Sequence, residues 1–154
     1  MTLYTLAQNI EASWLGQTIR ESTWLFPAIE STHLLALALL GGSVLIMSLT
    51  VLGVGLRISA AELYKSAHRY MNAAVVVLVI TGILLGISEP VKLYGRQAFW
   101  VKMISLAFAL VVTYGAFNPL VKRGTTGLSV RSVAALTMAA WLMVAMAGRW
   151  IGFS

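Results

Sequence analysis

The stretch Leu34-Leu-Ala-Leu-Ala-Leu-Leu-Gly-Gly-Ser-Val-Leu-Ile-Met-Ser-Leu-Thr-Val-Leu-Gly-Val-Gly-Leu56 runs for 23 residues without a charge. A helix rises ~1.5 Å per residue, so about 20 apolar residues cross a hydrocarbon core of about 30 Å. Three further uncharged runs follow, over 70–88, 103–121 and 132–148, of 19, 19 and 17 residues. Charges lying just inside the helix ends lengthen each element. The predicted helices are therefore 26–56, 62–87, 98–120 and 128–150. Stops and starts agree with them. Pro27 suits a first turn. Glu89-Pro90 and Asn118-Pro119 end the second and third helices, and Gly124-Thr-Thr-Gly127 makes a tight link to the fourth. Short links make successive helices antiparallel neighbours. The expected fold is all-α: one integral membrane four-helix antiparallel bundle over 26–154.

Composition supports this from outside the helices. Of 154 residues, 59% are hydrophobic and 10% charged, against about 25% charged in an ordinary soluble domain. Sixteen charges cannot cover a soluble globule of this size. Disorder is excluded by the same apolar content. No cysteine is present, which removes disulfides, thiolate metal sites, iron–sulfur clusters and a Cys nucleophile. The net charge of +6 would point to nucleic acid in a soluble protein. In this chain it is expected to face anionic lipid, with no nucleic-acid partner. No nucleophile–base pair or phosphate loop appears, so the sequence names no catalytic residue and leaves enzymatic activity open.

Residues 1–25 read differently. Glu11, Arg20 and Glu21 alternate with Leu3, Leu6, Ile10, Trp14 and Leu15. A signal peptide's charged n-region and cleavage site are missing. The expectation is an amphipathic helix lying on the membrane surface.

Call side A the face that holds both termini and the loop near 88–97, and side B the opposite face. Side B carries Arg57, Lys65, Arg69, Lys122, Arg123 and Arg131. Side A carries four loop cations: Arg20, Lys92, Arg96 and Arg149, with Lys102 inside the membrane. The positive-inside rule then makes side B cytoplasmic, with both termini outside. Trp24, Tyr94, Trp100 and Trp150 form an aromatic belt on side A.

Bundle interfaces in lipid favour small and polar residues. Three stripes at helical spacing are expected to face inward: Glu30-His33-Leu37-Gly41-Val44-Ser48-Gly55, His68-Asn72-Val75-Val79-Gly82-Gly86, and Lys102-Ser105-Ala109-Thr113-Ala116.

The ionisable residues carry the functional signal, because an unpartnered charge in the membrane is costly. His33 is the leading candidate: imidazole ligates haem iron, copper or zinc and relays protons. Its bland reading is an interfacial hydrogen bond. A bis-histidine site with His68 fails on depth. His33 stands on the order of 35 Å above the side-B turn and His68 roughly 10 Å above it, too far apart for two ~2 Å metal bonds. His68, between Lys65 and Arg69, is interfacial. Lys102 matches His33 in depth, both within about 10 Å of side A. It either snorkels, ligates iron as the neutral amine, or holds a cofactor carboxylate. Met143 and Met146 reach the same level as thioether ligands for haem iron or Cu(I), or as packing. Glu30 lies one turn before His33 on the same face and is read as an orienting carboxylate or a first-turn acid. A di-iron site needs two Glu-x-x-His motifs and two more carboxylates, which this chain lacks.

The stretch Glu30-Ser-Thr-His33-Leu-Leu-Ala-Leu-Ala-Leu-Leu-Gly41-Gly42-Ser43, with Leu52-Gly53, Thr81-Gly82-Ile-Leu-Leu and Ala98-Phe-Trp-Val-Lys102-Met, resembles a bacterial family of small four-helix membrane proteins of unknown function. The likeness covers roughly residues 24–120. Where that family has Asp-Leu-Arg, this chain has Met47-Ser48-Leu49-Thr50. At longer range the chain is similar to the haem-dependent membrane protoporphyrinogen oxidase, which has an early histidine in its first helix and an early lysine in its third. Those positions correspond to His33 and Lys102. It is also similar to the copper-resistance D membrane family.

The resemblance implies a bacterial inner membrane location and a haem b on His33, or a copper site in its place. The resulting expectation is a cytochrome b-like electron-transfer protein with haem near the outer face. His33 is then an axial ligand, Lys102 or Met143 the second ligand or Lys102 a propionate partner, and Glu30 supports the site. Quinone or a larger membrane complex would be the redox partner. Two rivals stand beside it: a non-catalytic scaffold subunit or homo-oligomer, and a copper-handling protein using His33, Met143 and Met146.

Overall fold

The computed structural model describes residues 3–153, and the side chains of residues 4–150 among them. Every regular element there is helical: α1 (Leu3–Glu11), α2 (Trp14–Glu21), α3 (Leu25–Leu52), α4 (Ala60–Ser88), α5 (Pro90–Tyr94), α6 (Gln97–Val112), a π-helical turn (Thr113–Phe117), α7 (Asn118–Lys122) and α8 (Leu128–Phe153). Four helical stretches are long and apolar enough to cross a membrane: Leu25–Leu52, Ala60–Ser88, Gln97–Lys122 and Leu128–Trp150. Only 28% to 39% of each apolar window is buried inside the protein. The remaining surface needs a non-aqueous neighbour, so the chain is a multi-pass membrane protein.

Local chemistry sets the ends of the spans. The α3 helix stops at Leu52 because Gly53 takes φ 87°, a left-handed cap that any Cβ would strain. The first span is thus shorter than the expected 26–56, and Gly55 lies in a loop. A capping box opens α4: Ser59 Oγ accepts from the Glu62 amide, and the Glu62 carboxylate accepts from the Ser59 amide. Pro90 ends α4 and starts α5, a short helix the sequence reading did not anticipate.

The third span is not one regular helix. Over Thr113–Phe117 the backbone bond runs from the Asn118 amide to the Thr113 carbonyl, five residues back. Thr113 Oγ1 donates to the Ala109 carbonyl (2.6 Å) and accepts from Trp141 Nε1 of α8 (2.9 Å). The turn is therefore pinned to the neighbouring span.

Helix pairing builds an incomplete ring. Along their lengths α3 packs on α4, α8 on α3, and α6 on α8. The fourth side is closed only towards side B, where α4 meets α7; α4 and α6 make no extended contact. The core is apolar and central: Leu40, Val44 and Met47 of α3, Met71, Ala74 and Leu78 of α4, and Phe117, Trp141 and Val144.

The stripes fare unequally. In α6 and the turn, Ser105, Ala109 and Thr113 are buried as expected, and in α3 so are His33, Val44 and Ser48. In α4 the expected stripe is rotated: His68, Asn72 and Val79 are exposed, whereas Met71, Ala74, Leu78 and Thr81 are buried. Residues 1–25 are two helices rather than one. Ser13 breaks them, its Oγ capping α2 through the Gly16 amide. They also pack on the bundle. Ala7, Gly16 and Ile19 are buried, with Gly16 tight against the Ile87 carbonyl at the end of α4.

Candidate functional site

His33 stands eight residues into α3, about 12 Å from its side-A end. Thr81 stands seven residues before the end of α4, about 10 Å from the same face. The two meet: His33 Nδ1 and Thr81 Oγ1 are 2.9 Å apart, and both residues are buried. The Thr81 hydroxyl lies 2.6 Å from the Val77 carbonyl, a separation that requires its one proton to be donated there. Towards His33 it can only accept, so the imidazole proton sits on Nδ1. In the neutral ring, Nε2 is then left with its lone pair. The ring packs on α4 at Gly82. A Cβ on Gly82 would stand 3.4 Å from His33 Cε1.

Lys102 lies five residues into α6 and is half-buried, its Nζ beside Gly148 of α8. Glu30 is exposed on the side-A rim. Neither Glu30 nor Lys102 makes a hydrogen bond or a short ion pair among the described residues. Glu30, His33 and Lys102 therefore share the side-A end of the bundle, and of the three only the imidazole is tightly held. Thr81 was missed as its anchor. Depth arithmetic extended to hydroxyl residues would have found it.

The other candidates lie elsewhere. His68 is exposed towards side B, with Nδ1 3.0 Å from the Lys65 carbonyl and its ring stacked on Tyr64. Met143 and Met146 are exposed and line a shallow outer groove with Val101, Leu142 and Trp150. The structure does not bring these thioethers to His33. Among the described residues no group of three or more His, Asp or Glu side chains is placed to hold a metal ion. Trp24, Tyr94, Trp100 and Trp150 are all exposed.

The donor set suits a group that brings most of its own ligands. One imidazole nitrogen with a fixed partner on the other fits an axial position of a haem, whose ring supplies the equatorial donors.

The chain belongs to a family of unknown function, DUF6644, whose model matches residues 7–154. No curated protein and no solved structure matches it.

Proposed function

We propose that this member of the family is a small haem b-binding membrane protein that transfers electrons. The observation that carries the reading is the 2.9 Å contact of His33 Nδ1 with Thr81 Oγ1, which fixes the ring; with the Thr81 proton on the Val77 carbonyl, Nε2 would be the nitrogen left for iron. Nε2 of His33 would be an axial ligand. Lys102 would hold a propionate or take the second axial position, and exposed Glu30 would face the aqueous rim. The likeness of His33 and Lys102 to the paired histidine and lysine of haem-dependent protoporphyrinogen oxidase supports the same assignment. Bound haem supplies one-electron chemistry. The protein's part is to fix the imidazole, exclude water and place a cation near the edge of the site. Electrons would pass to quinone or to a larger complex in a bacterial inner membrane, with side B cytoplasmic.

The test is a reduced-minus-oxidised absorption spectrum of protein produced with ample haem. A Soret band that shifts on reduction and disappears in His33→Ala is expected. Colourless protein, or an unchanged spectrum in His33→Ala, overturns the reading.

A second reading is a non-catalytic subunit of a membrane complex, in which His33 only ties α3 to α4. It draws on the same bond, because Thr81 and Gly82 already give the ring a packed, satisfied place. It predicts no cofactor and co-purification with other chains. Copper handling by His33 with Met143 and Met146 draws less support, because both thioethers are exposed on an outer groove.

A further inference from the structure

At the side-B end, where α4 meets the third span, a cavity of about 490 Å³ opens between Tyr64, Tyr114, Asn118, Pro119, Lys122 and Arg123. Its walls differ from the lipid-facing surface. Two tyrosine rings form the sides, and the Tyr114 hydroxyl donates to Asn72 Oδ1 (3.1 Å). Lys122 and Arg123 supply two positive charges and form no ion pair among the described residues. Asn118 is 4% exposed, and its Oδ1 has no hydrogen-bond partner. That oxygen has almost no accessible surface, so the cavity meets a ligand through the two cations and the tyrosine rings.

We propose that this cavity binds a phosphoester group, as in the headgroup of an anionic glycerophospholipid. Lys122 and Arg123 take the phosphate oxygens. The tyrosine rings cover the glycerol carbons. Basic pockets between membrane helices hold lipid headgroups in this way. The side-B surface adds Lys65, Arg69 and Arg131 against Glu62, so the local field attracts an anion. Soluble phosphate esters share the chemistry, and the experiment separates them. The site is independent of whatever His33 binds.

The full-length protein in nanodiscs is heated with phosphatidylglycerol, phosphatidylcholine, or phosphatidylcholine plus glycerol phosphate, and native mass spectrometry counts retained lipid. Phosphatidylglycerol is expected to be retained and to raise the melting temperature over phosphatidylcholine. The double variant Lys122→Ala/Arg123→Ala is expected to lose this retention at least tenfold. Stabilisation by glycerol phosphate equal to that by the lipid assigns the same site to a soluble ester. Equal retention of phosphatidylglycerol and phosphatidylcholine without an effect of glycerol phosphate overturns the proposal. So does retention unaffected by the double variant. Because both cations are exposed, their removal leaves the packed core intact.

Discussion

His33, Thr81 and Gly82 work as one unit. Thr81→Val removes the acceptor for Nδ1–H and keeps the side-chain shape, so the ring loses its fixed orientation. Partners of this kind are worth 10–100-fold in ligand affinity. Haem titration of Thr81→Val is expected to show a loss of about that size, with Thr81→Ser close to the parent. Equal affinity in all three would remove Thr81 from the site. At Gly82 the sign depends on size. The Cβ of Gly82→Ala meets His33 Cε1 at an ordinary contact distance and should be nearly neutral in thermal unfolding. Gly82→Leu overpacks the α3–α4 interface and should cost about 1–3 kcal/mol, read from the melting temperature in detergent. At this scale the sequence named His33, Lys102 and Glu30 because ionisable groups in an apolar run are conspicuous. It did not name Thr81, because hydroxyl residues in membrane helices commonly bond within their own helix. Thr32, Ser43, Thr50 and Ser132 all do so.

Among the elements, the four spans were legible because their length and hydropathy are dictated by bilayer thickness. The rotation of α4 was not. Lipid and the bundle interior are both apolar, so Val79 facing lipid and Leu78 facing the core look alike in sequence. The break at Ser13, short α5 and the π-helical turn were equally hidden, since each depends on a tertiary neighbour. Two of these neighbours can be tested. A Cβ at Gly16 would stand 2.9 Å from the Ile87 carbonyl and 3.0 Å from that of Ile10, backbone atoms that cannot swing aside. Gly16→Ala is expected to lift α2 from the end of α4. Hydrogen exchange should quicken over Trp14–Glu21 while the spans keep their protection; unchanged exchange there would refute the docking. Trp141→Phe removes the bond to Thr113 Oγ1. Its expected cost is about 0.6–1 kcal/mol, and Thr113→Val should add little to it in a double-mutant cycle.

For the molecule as a whole, the absence of cysteine makes topology directly measurable. With side B cytoplasmic, a membrane-impermeant maleimide added outside intact cells should label Lys92→Cys and spare Thr126→Cys. The opposite pattern would invert the orientation drawn from the excess of side-B cations. The sequence supplied the bundle and the side of each loop, but not the order of contacts around the ring. Nothing in the residues announces that α4 touches the third span near one face only.

That closure at side B depends on a single extra residue. A five-residue hydrogen-bonded turn holds one more residue than a helical turn allows, so everything after Thr113–Phe117 is rotated by about 100° from its regular position. The rotation is what turns Asn118 and Val121 inward, against α4. Deleting Ala116 would restore an ordinary helix of nearly the same length and hydropathy, still able to cross the bilayer. It would swing Asn118 out of the interface and separate α7 from α4. A one-codon deletion would thus leave a membrane-inserted protein whose side-B cavity no longer exists.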